Sequence, residues 1–349
     1  MPRITIEKLK LMEPKKITNL VGMSLHHISS ELEKTSYRPE ISELNTKGLS
    51  SISLEQALLK NFIKTCEEII ELSPKDVRLL LSALLMKFEA NCVKTLLRAK
   101  EANLSVEESM YYIIPAGRLS EDRCKKTLEN SENIADIIDS LSDMEYGPVL
   151  EKAFEVYLKE NIFYLLEIAL DRHVYHKIWR ATGKFWGLDK KIVRTTIGLE
   201  IDSVNVKTVL RCKATGISKN QIKQYILPVS EVFGEKELEE AMSCLDMQST
   251  IDSLVESAKR ARARDHRYIF TELESHVTSL TALETILDRG LIKTNLRIIK
   301  RYTPFFNIGL LLAFLNLKWF EVKNLRAIIR GSEARIAPDR VKKLLILQR

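Results

Sequence analysis

Apolar residues recur at three- and four-residue spacing along almost the whole chain. LEQALLKNFIKTCEEIIEL (54–72), VLEKAFEVYLKENIFYLLEIALDRHVYHKIW (149–179) and LESHVTSLTALETILDRGL (273–291) each place an apolar stripe along one side of a helix. No stretch of comparable length alternates apolar and polar residues with period two, so the pattern predicts an all-α protein. Ser73-Pro74, Gly147-Pro148 and Pro228 interrupt it. Asn103 and Gly216 fall at equivalent positions after a helix that recurs along the chain, and both residue types tolerate the left-handed backbone that closes a helix. The most apolar run, FFNIGLLLAFLNL (305–317), is interrupted by asparagines and falls short of the ~20 residues needed to span a bilayer. It predicts a buried helix in a soluble chain.

The helical pattern repeats. VNVKTVLRCK (204–213) matches NCVKTLLRAK (91–100) at an offset of 113 residues, and the register continues without a gap from Ser105, Tyr112, Ile113 and Pro115 to Ser218, Tyr225, Ile226 and Pro228. A third copy follows at a further offset of 119, where Asp202, Asn205, Leu210-Arg211 and Ile226-Leu227 meet Glu321, Asn324, Ile329-Arg330 and Leu345-Ile346. Upstream, ELEKTSYRPEI (31–41) resembles SLSDMEYGPVL (140–150), with Tyr37 and Pro39 matching Tyr146 and Pro148. A unit of over 100 residues is too long for a solenoid repeat. It predicts three quasi-equivalent helical domains, at about 1–117, 118–230 and 231–349.

Each copy carries an acid, then Asn or Cys three residues on, then Arg nine residues on: Glu89, Cys92 and Arg98; Asp202, Asn205 and Arg211; Glu321, Asn324 and Arg330. At about 100° per residue, Leu325, Ile328 and Ile329 lie within about 80° of Glu321, so the carboxylate falls inside the apolar stripe. Asp202 and Glu89 have the same apolar neighbours. A carboxylate in a helix-packing seam is costly unless it is paired. Each acid is therefore expected to accept hydrogen bonds from backbone amides or a basic side chain of a neighbouring helix. The three arginines fall on the opposite side near the helix C-terminus, where the macrodipole favours a cation. No nucleophile or base recurs beside the acids, which points to a structural role.

Composition narrows the chemistry. The 349 residues include only 12 Gly and 9 Pro, while 29% are charged and 45% hydrophobic, which suits long helices and excludes disorder or a collagen-like chain. The net charge of +7 arises from 54 basic against 47 acidic residues, a modest excess that permits nucleic acid without demanding it. Cys66, Cys92, Cys124, Cys212 and Cys244 are far apart in sequence and form no C-x-x-C, so they predict reduced core thiols rather than a zinc knuckle or disulfide framework. The opening MPRITIEKLKLMEPKK lacks the apolar stretch of a secretory signal. There is no phosphate loop, dinucleotide fingerprint, H-E-x-x-H or G-x-S-x-G, and neither an enzyme nor a cofactor is expected. His173 and His176 have helical i, i+3 spacing but lack a third ligand, so no metal is expected. The densest basic stretch, AKRARARDHR (258–267), contains Arg260, Arg262, Arg264 and Arg267. With a single Tyr beside it, it lacks the stacking platform of a single-strand binder and fits a solvated face or an acidic protein partner better.

On these residues the chain resembles the C-subunit family of archaeal-type rotary ATPases, whose vacuolar ATPase counterpart is the d subunit. The most specific likeness is C-terminal. PFFNIGLLLAFLNLKWFEVKNLRAIIRG (304–331) is similar to the family's Pro-Phe start, apolar helix and closing motif, with Glu321, Val322, Asn324, Leu325, Arg326, Ile328, Arg330 and Gly331 all fitting. The threefold repeat is also a feature of that family, and the resemblance extends over residues 31–349. The chain departs from it at Cys92, where copy one lacks the Asn kept in copies two and three. The resemblance implies a funnel of three helical domains seated on the membrane proteolipid ring, with the foot of the central stalk, its D and F subunits, in the cavity. That would be a non-catalytic rotor adaptor of a proton- or sodium-translocating ATPase or ATP synthase, cytoplasmic and peripheral to the membrane. The alternative is a helical scaffold or nucleic-acid-binding adaptor using 258–267.

Overall fold

The computed structural model describes residues 11–44, 48–275, 279–302 and 307–347. These residues form 18 α-helices and no strand beyond one isolated bridge between Ala116 and Leu119, so the class is all-α. In chain order the helices are α1 Pro14–Asn19, α2 Leu25–Leu32, α3 Arg38–Ser42, α4 Ser51–Glu71, α5 Lys75–Glu101, α6 Val106–Tyr112, α7 Glu121–Glu129, α8 Ile134–Ser140 and α9 Gly147–Glu160. They continue with α10 Tyr164–Thr182, α11 Gly187–Ala214, α12 Lys219–Tyr225, α13 Glu235–Ser243, α14 Met247–Arg260, α15 Arg264–Thr271, α16 Leu280–Tyr302, α17 Ile308–Glu333 and α18 Pro338–Leu344.

Two compact units divide the chain. One gathers the described residues of Met1–Leu72 and Asp288–Arg349, and the other is Ser73–Leu287. The sequence divisions at 117/118 and 230/231 both lie inside the second unit. In the first unit α17 packs along α4, with α1, α2 and α18 against it. Leu311, Phe314, Leu315, Val322, Leu325 and Ile329 of α17 are all buried, which accounts for the near-continuous apolar run. In the second unit α5 packs along α10, and α11 packs against α13, α14 and α15. No helix among the described residues is long and apolar enough to cross a membrane.

The three long helices α5, α11 and α17 carry the repeat, and all three end alike. Asn103, Gly216 and Arg335 adopt left-handed backbone with φ of 51°, 72° and 51°. The next amide reaches back to the carbonyl five residues earlier in every case: Leu104 to Ala99, Ile217 to Cys212 and Ile336 to Gly331. This closure satisfies carbonyls that would otherwise be left unpaired at the helix end. A short helix then starts at the same register. Ser105 and Ser218 head capping boxes, while the third copy begins with Pro338 instead.

Two periodic stretches are broken where the spacing predicts continuous helix. The run 149–179 splits at Asn161, whose φ of 55° ends α9 before α10 begins at Tyr164. In 273–291, Glu272–Ser275 form a 3-10 turn and α16 starts at Leu280, with 276–278 outside the described residues. Of the apolar run 305–317, Phe305 and Phe306 lie outside the described residues, as does Pro304 of the C-terminal motif. Asn307 caps α17 through Oδ1, which accepts from the Gly309 amide at 2.8 Å.

Candidate functional site

The repeat acids are buried, with Glu89, Asp202 and Glu321 at 8%, 0% and 4% exposure. Each is met by the same two kinds of partner. A backbone amide donates to each: Arg118 N to Glu89 at 2.7 Å, Glu231 N and Val232 N to Asp202 at 3.1 and 2.9 Å, and Met12 N to Glu321 at 2.6 Å. A ring from a separate element closes the other side. The Tyr146 hydroxyl donates to Glu89 at 2.9 Å, the Tyr37 hydroxyl donates to Glu321 at 2.7 Å, and His266 Nε2 lies 3.3 Å from Asp202 Oδ2. All three rings are buried. Burial, reinforced by the carboxylate it faces, pushes the Tyr37 and Tyr146 hydroxyls well above their ordinary range. In the third copy the Lys318 ammonium also bonds Glu321 at 2.9 Å and lies 3.8 Å from the centre of the Tyr37 ring. The third copy is thus completed by the beginning of the chain, since Met12 and Tyr37 take the places held by Arg118 and Tyr146 in the first.

The arginines make a second recurring contact. Arg98 grips Glu167 of α10 through two bonds of 2.5 and 2.7 Å, and Arg211 grips Glu284 of α16 at 2.5 and 2.9 Å. Arg330 holds Glu55 of α4 at 2.6 and 3.0 Å, with Arg326 joining at 2.8 Å. The hydrogen bonds to these carboxylates raise the Arg98 and Arg330 pKa further. The helix macrodipole accounts for arginines near the helix ends, but it does not point to Glu55, Glu167 and Glu284. Their sequence signal is spacing, because the three glutamates follow one another at nearly the repeat's own offsets.

The asparagines form a third contact in two copies only. Asn205 Oδ1 accepts from Leu227 N at 2.9 Å while its amide reaches the Leu227 carbonyl at 3.4 Å. Asn324 does the same with Ile346, at 2.8 and 3.0 Å. Copy one has Cys92 there, and its Sγ lies 3.4 Å from Cys124 Sγ. These two thiols, remote in sequence, are neighbours in the fold. Cys66 and Cys212 are buried as well, and Cys244 is half-buried.

The remaining candidates separate. Arg260, Arg262, Arg264 and Arg267 lie at the surface around the junction of α14 and α15. Arg260 lies 3.8 Å from Glu240, and Arg267 donates to the Ala261 carbonyl at 2.6 Å. His173 Nε2 sits 3.2 Å from Glu145, burial lowers its pKa, and His176 is exposed. Among the described residues no group of three or more His, Cys, Asp or Glu is placed to hold a metal ion. An open groove of about 870 Å³ lies over the Glu89 site, with Leu79 and Met86 of α5 facing Arg118, Lys177, Arg180 and Lys184.

Comparison with known proteins gives the arrangement a context. The family model described as ATP synthase (C/AC39) subunit matches residues 1–344. The C subunit of the A-type ATP synthase of Methanocaldococcus jannaschii is 27% identical over 345 residues, covering 99% of this chain and 84% of the relative. Its counterpart in Methanosarcina acetivorans is 28% identical over 352 residues, covering 99% and 91%. That of Methanococcoides burtonii is 28% identical over 351 residues, covering 99% and 92%.

Proposed function

Because the chain belongs to the ATP synthase (C/AC39) subunit family, we propose that it is a non-catalytic adaptor of the central rotor in an A-type, ion-translocating ATP synthase. In this reading it joins the D and F subunits of the central stalk to the membrane proteolipid ring and is held at the membrane through protein contacts. The coupled ion is a proton or sodium. The three repeat copies act as three helical domains arranged as a funnel, each built around one long helix with its closing ring and glutamate.

The observation that carries this reading is the recurrence of one closed set of contacts on α5, α11 and α17. Every repeat acid is occupied by protein donors, and every repeat arginine is held bidentately by a neighbouring helix. Such groups lock helices together and suit a body that transmits torque without deforming. Arg260, Arg262, Arg264 and Arg267 supply a positive rim for one protein interface, where charge assists docking more than final affinity. Two partners held at once need two separate surfaces, each burying more than the ~1,200 Å² of a minimal stable interface.

Reconstitution tests the reading. ATP hydrolysis by the catalytic head persists without this protein, whereas ion pumping is lost and returns when it is added back. Pumping that stays coupled in its absence overturns the adaptor assignment.

A further inference from the structure

Copy one lacks the asparagine contact that copies two and three share, and a pair of thiols stands in its place. Cys92 on α5 and Cys124 on α7 are 1% and 0% exposed, with their sulfurs 3.4 Å apart. Asn205 and Asn324 fasten their helices to the segment that follows through paired amide bonds. Cys92 offers no such pairing. The segment after α5 is held instead by the Arg118 amide, which donates to Glu89 at 2.7 Å, and it turns through the local Ala116–Leu119 bridge, beside which Cys124 Sγ lies 3.9 Å from the Leu119 carbonyl. A disulfide needs its sulfurs about 2.05 Å apart, so the bond forms on a closure of about 1.4 Å.

We propose that Cys92 and Cys124 are a redox modification site, oxidised by hydrogen peroxide to a disulfide that ties α5 to α7 covalently where the other copies use asparagine. The two thiols are electronically unlike. The hydrogen bond from Cys92, aided by Arg123, lowers the Cys124 pKa against the effect of burial, while Cys92 is raised by that same bond and by burial. Cys124, carried on the nine-residue α7 beside Arg123, is the attacking thiol in this proposal. Its sulfur takes one peroxide oxygen as the O–O bond breaks, giving a sulfenic acid and a hydroxide that takes up a proton as water. Cys92 then attacks that sulfur and gives up its thiol proton. The S–S bond forms, the S–O bond breaks, and a second water leaves. Each cysteine sulfur loses one electron and the peroxide gains two. Access comes through local opening of α7, a nine-residue helix whose Glu121, Asp122, Lys125 and Lys126 all face solvent.

The experiment treats the folded full-length chain with hydrogen peroxide, alkylates it under denaturing conditions and maps the peptides. The expected result is loss of the mass of two hydrogens, two of the five thiols protected, a peptide pair joined through Cys92 and Cys124, and reversal by a dithiol reductant. Closing a loop of this length raises the melting temperature by about 5 °C or more. In Cys92→Ser the reaction stops after the first step, so dimedone labels the Cys124 sulfenic acid. The mapping uses the unmodified sequence and does not require that variant to be stable. The proposal is overturned if all five thiols are alkylated after treatment, or if the disulfide joins other cysteines. It stands or falls separately from the rotor reading, because no partner protein is involved.

Discussion

Glu321 shows how much one side chain carries in this protein. Its carboxylate receives the Tyr37 hydroxyl, the Met12 amide and the Lys318 ammonium, and Lys318 is itself only 3% exposed. Glu321→Ala leaves a buried lysine without its counter-charge, a loss of about 3–5 kcal/mol rather than that of one neutral hydrogen bond. Denaturant unfolding reads it as a lower midpoint with unchanged slope. The tyrosines give a pH signature. Tyr37 and Tyr146 have folded-state pKa values above their ordinary value near 10, so the stability they contribute is fully present below pH about 10 and is lost as pH rises through the folded value. Absorbance titration of tyrosinate is expected to show Tyr37 and Tyr146 ionising only as the fold gives way.

At the scale of the element, the three long helices end in one geometry built from different residues. Gly216 adopts its positive φ freely and Asn103 tolerates it, but Arg335 at 51° bears the full side-chain penalty. Left-handed backbone costs a non-glycine residue about 1–2 kcal/mol, and glycine gives back about 0.5–1 kcal/mol through its extra freedom in the unfolded chain. Arg335→Gly is therefore expected to stabilise the chain by up to about 1 kcal/mol, measured by thermal or denaturant unfolding. Asn161 shows the reverse side of the same rule. The apolar periodicity runs through it into α10, yet a single left-handed residue divides the stretch into two helices.

For the whole molecule, the surface charges matter through assembly. Reversing Arg260, Arg262, Arg264 and Arg267 to glutamate is expected to leave the monomer folded, because none of the four is buried. In the rotor reading it slows association with the partner proteins and changes its salt dependence, since rim charges act mainly on the encounter rate. Stopped-flow or surface-capture kinetics at two ionic strengths measure this. Unchanged association removes these four residues from the interface and leaves the reconstitution experiment to decide the function.

Helix class, the repeat and its acid–Asn–Arg spacing were legible in the sequence, because a 3.6-residue period and a recurring register are properties of the chain read in order. The need for a partner at each buried acid followed from the cost of leaving a carboxylate in an apolar seam. Which partner it is depends on which elements fold together. Tyr37 and Tyr146 recur visibly, but nothing local says that Tyr37 serves an acid almost at the other end of the chain, or that His266 occupies the matching place beside Asp202. Glu55, Glu167 and Glu284 show their spacing only once Arg98, Arg211 and Arg330 are seen to reach them. The contact between Cys92 and Cys124 belongs to the same class. Periodicity fixes which side of a helix faces inward, whereas the approach of two sulfurs to 3.4 Å is decided by how α5 and α7 pack in three dimensions.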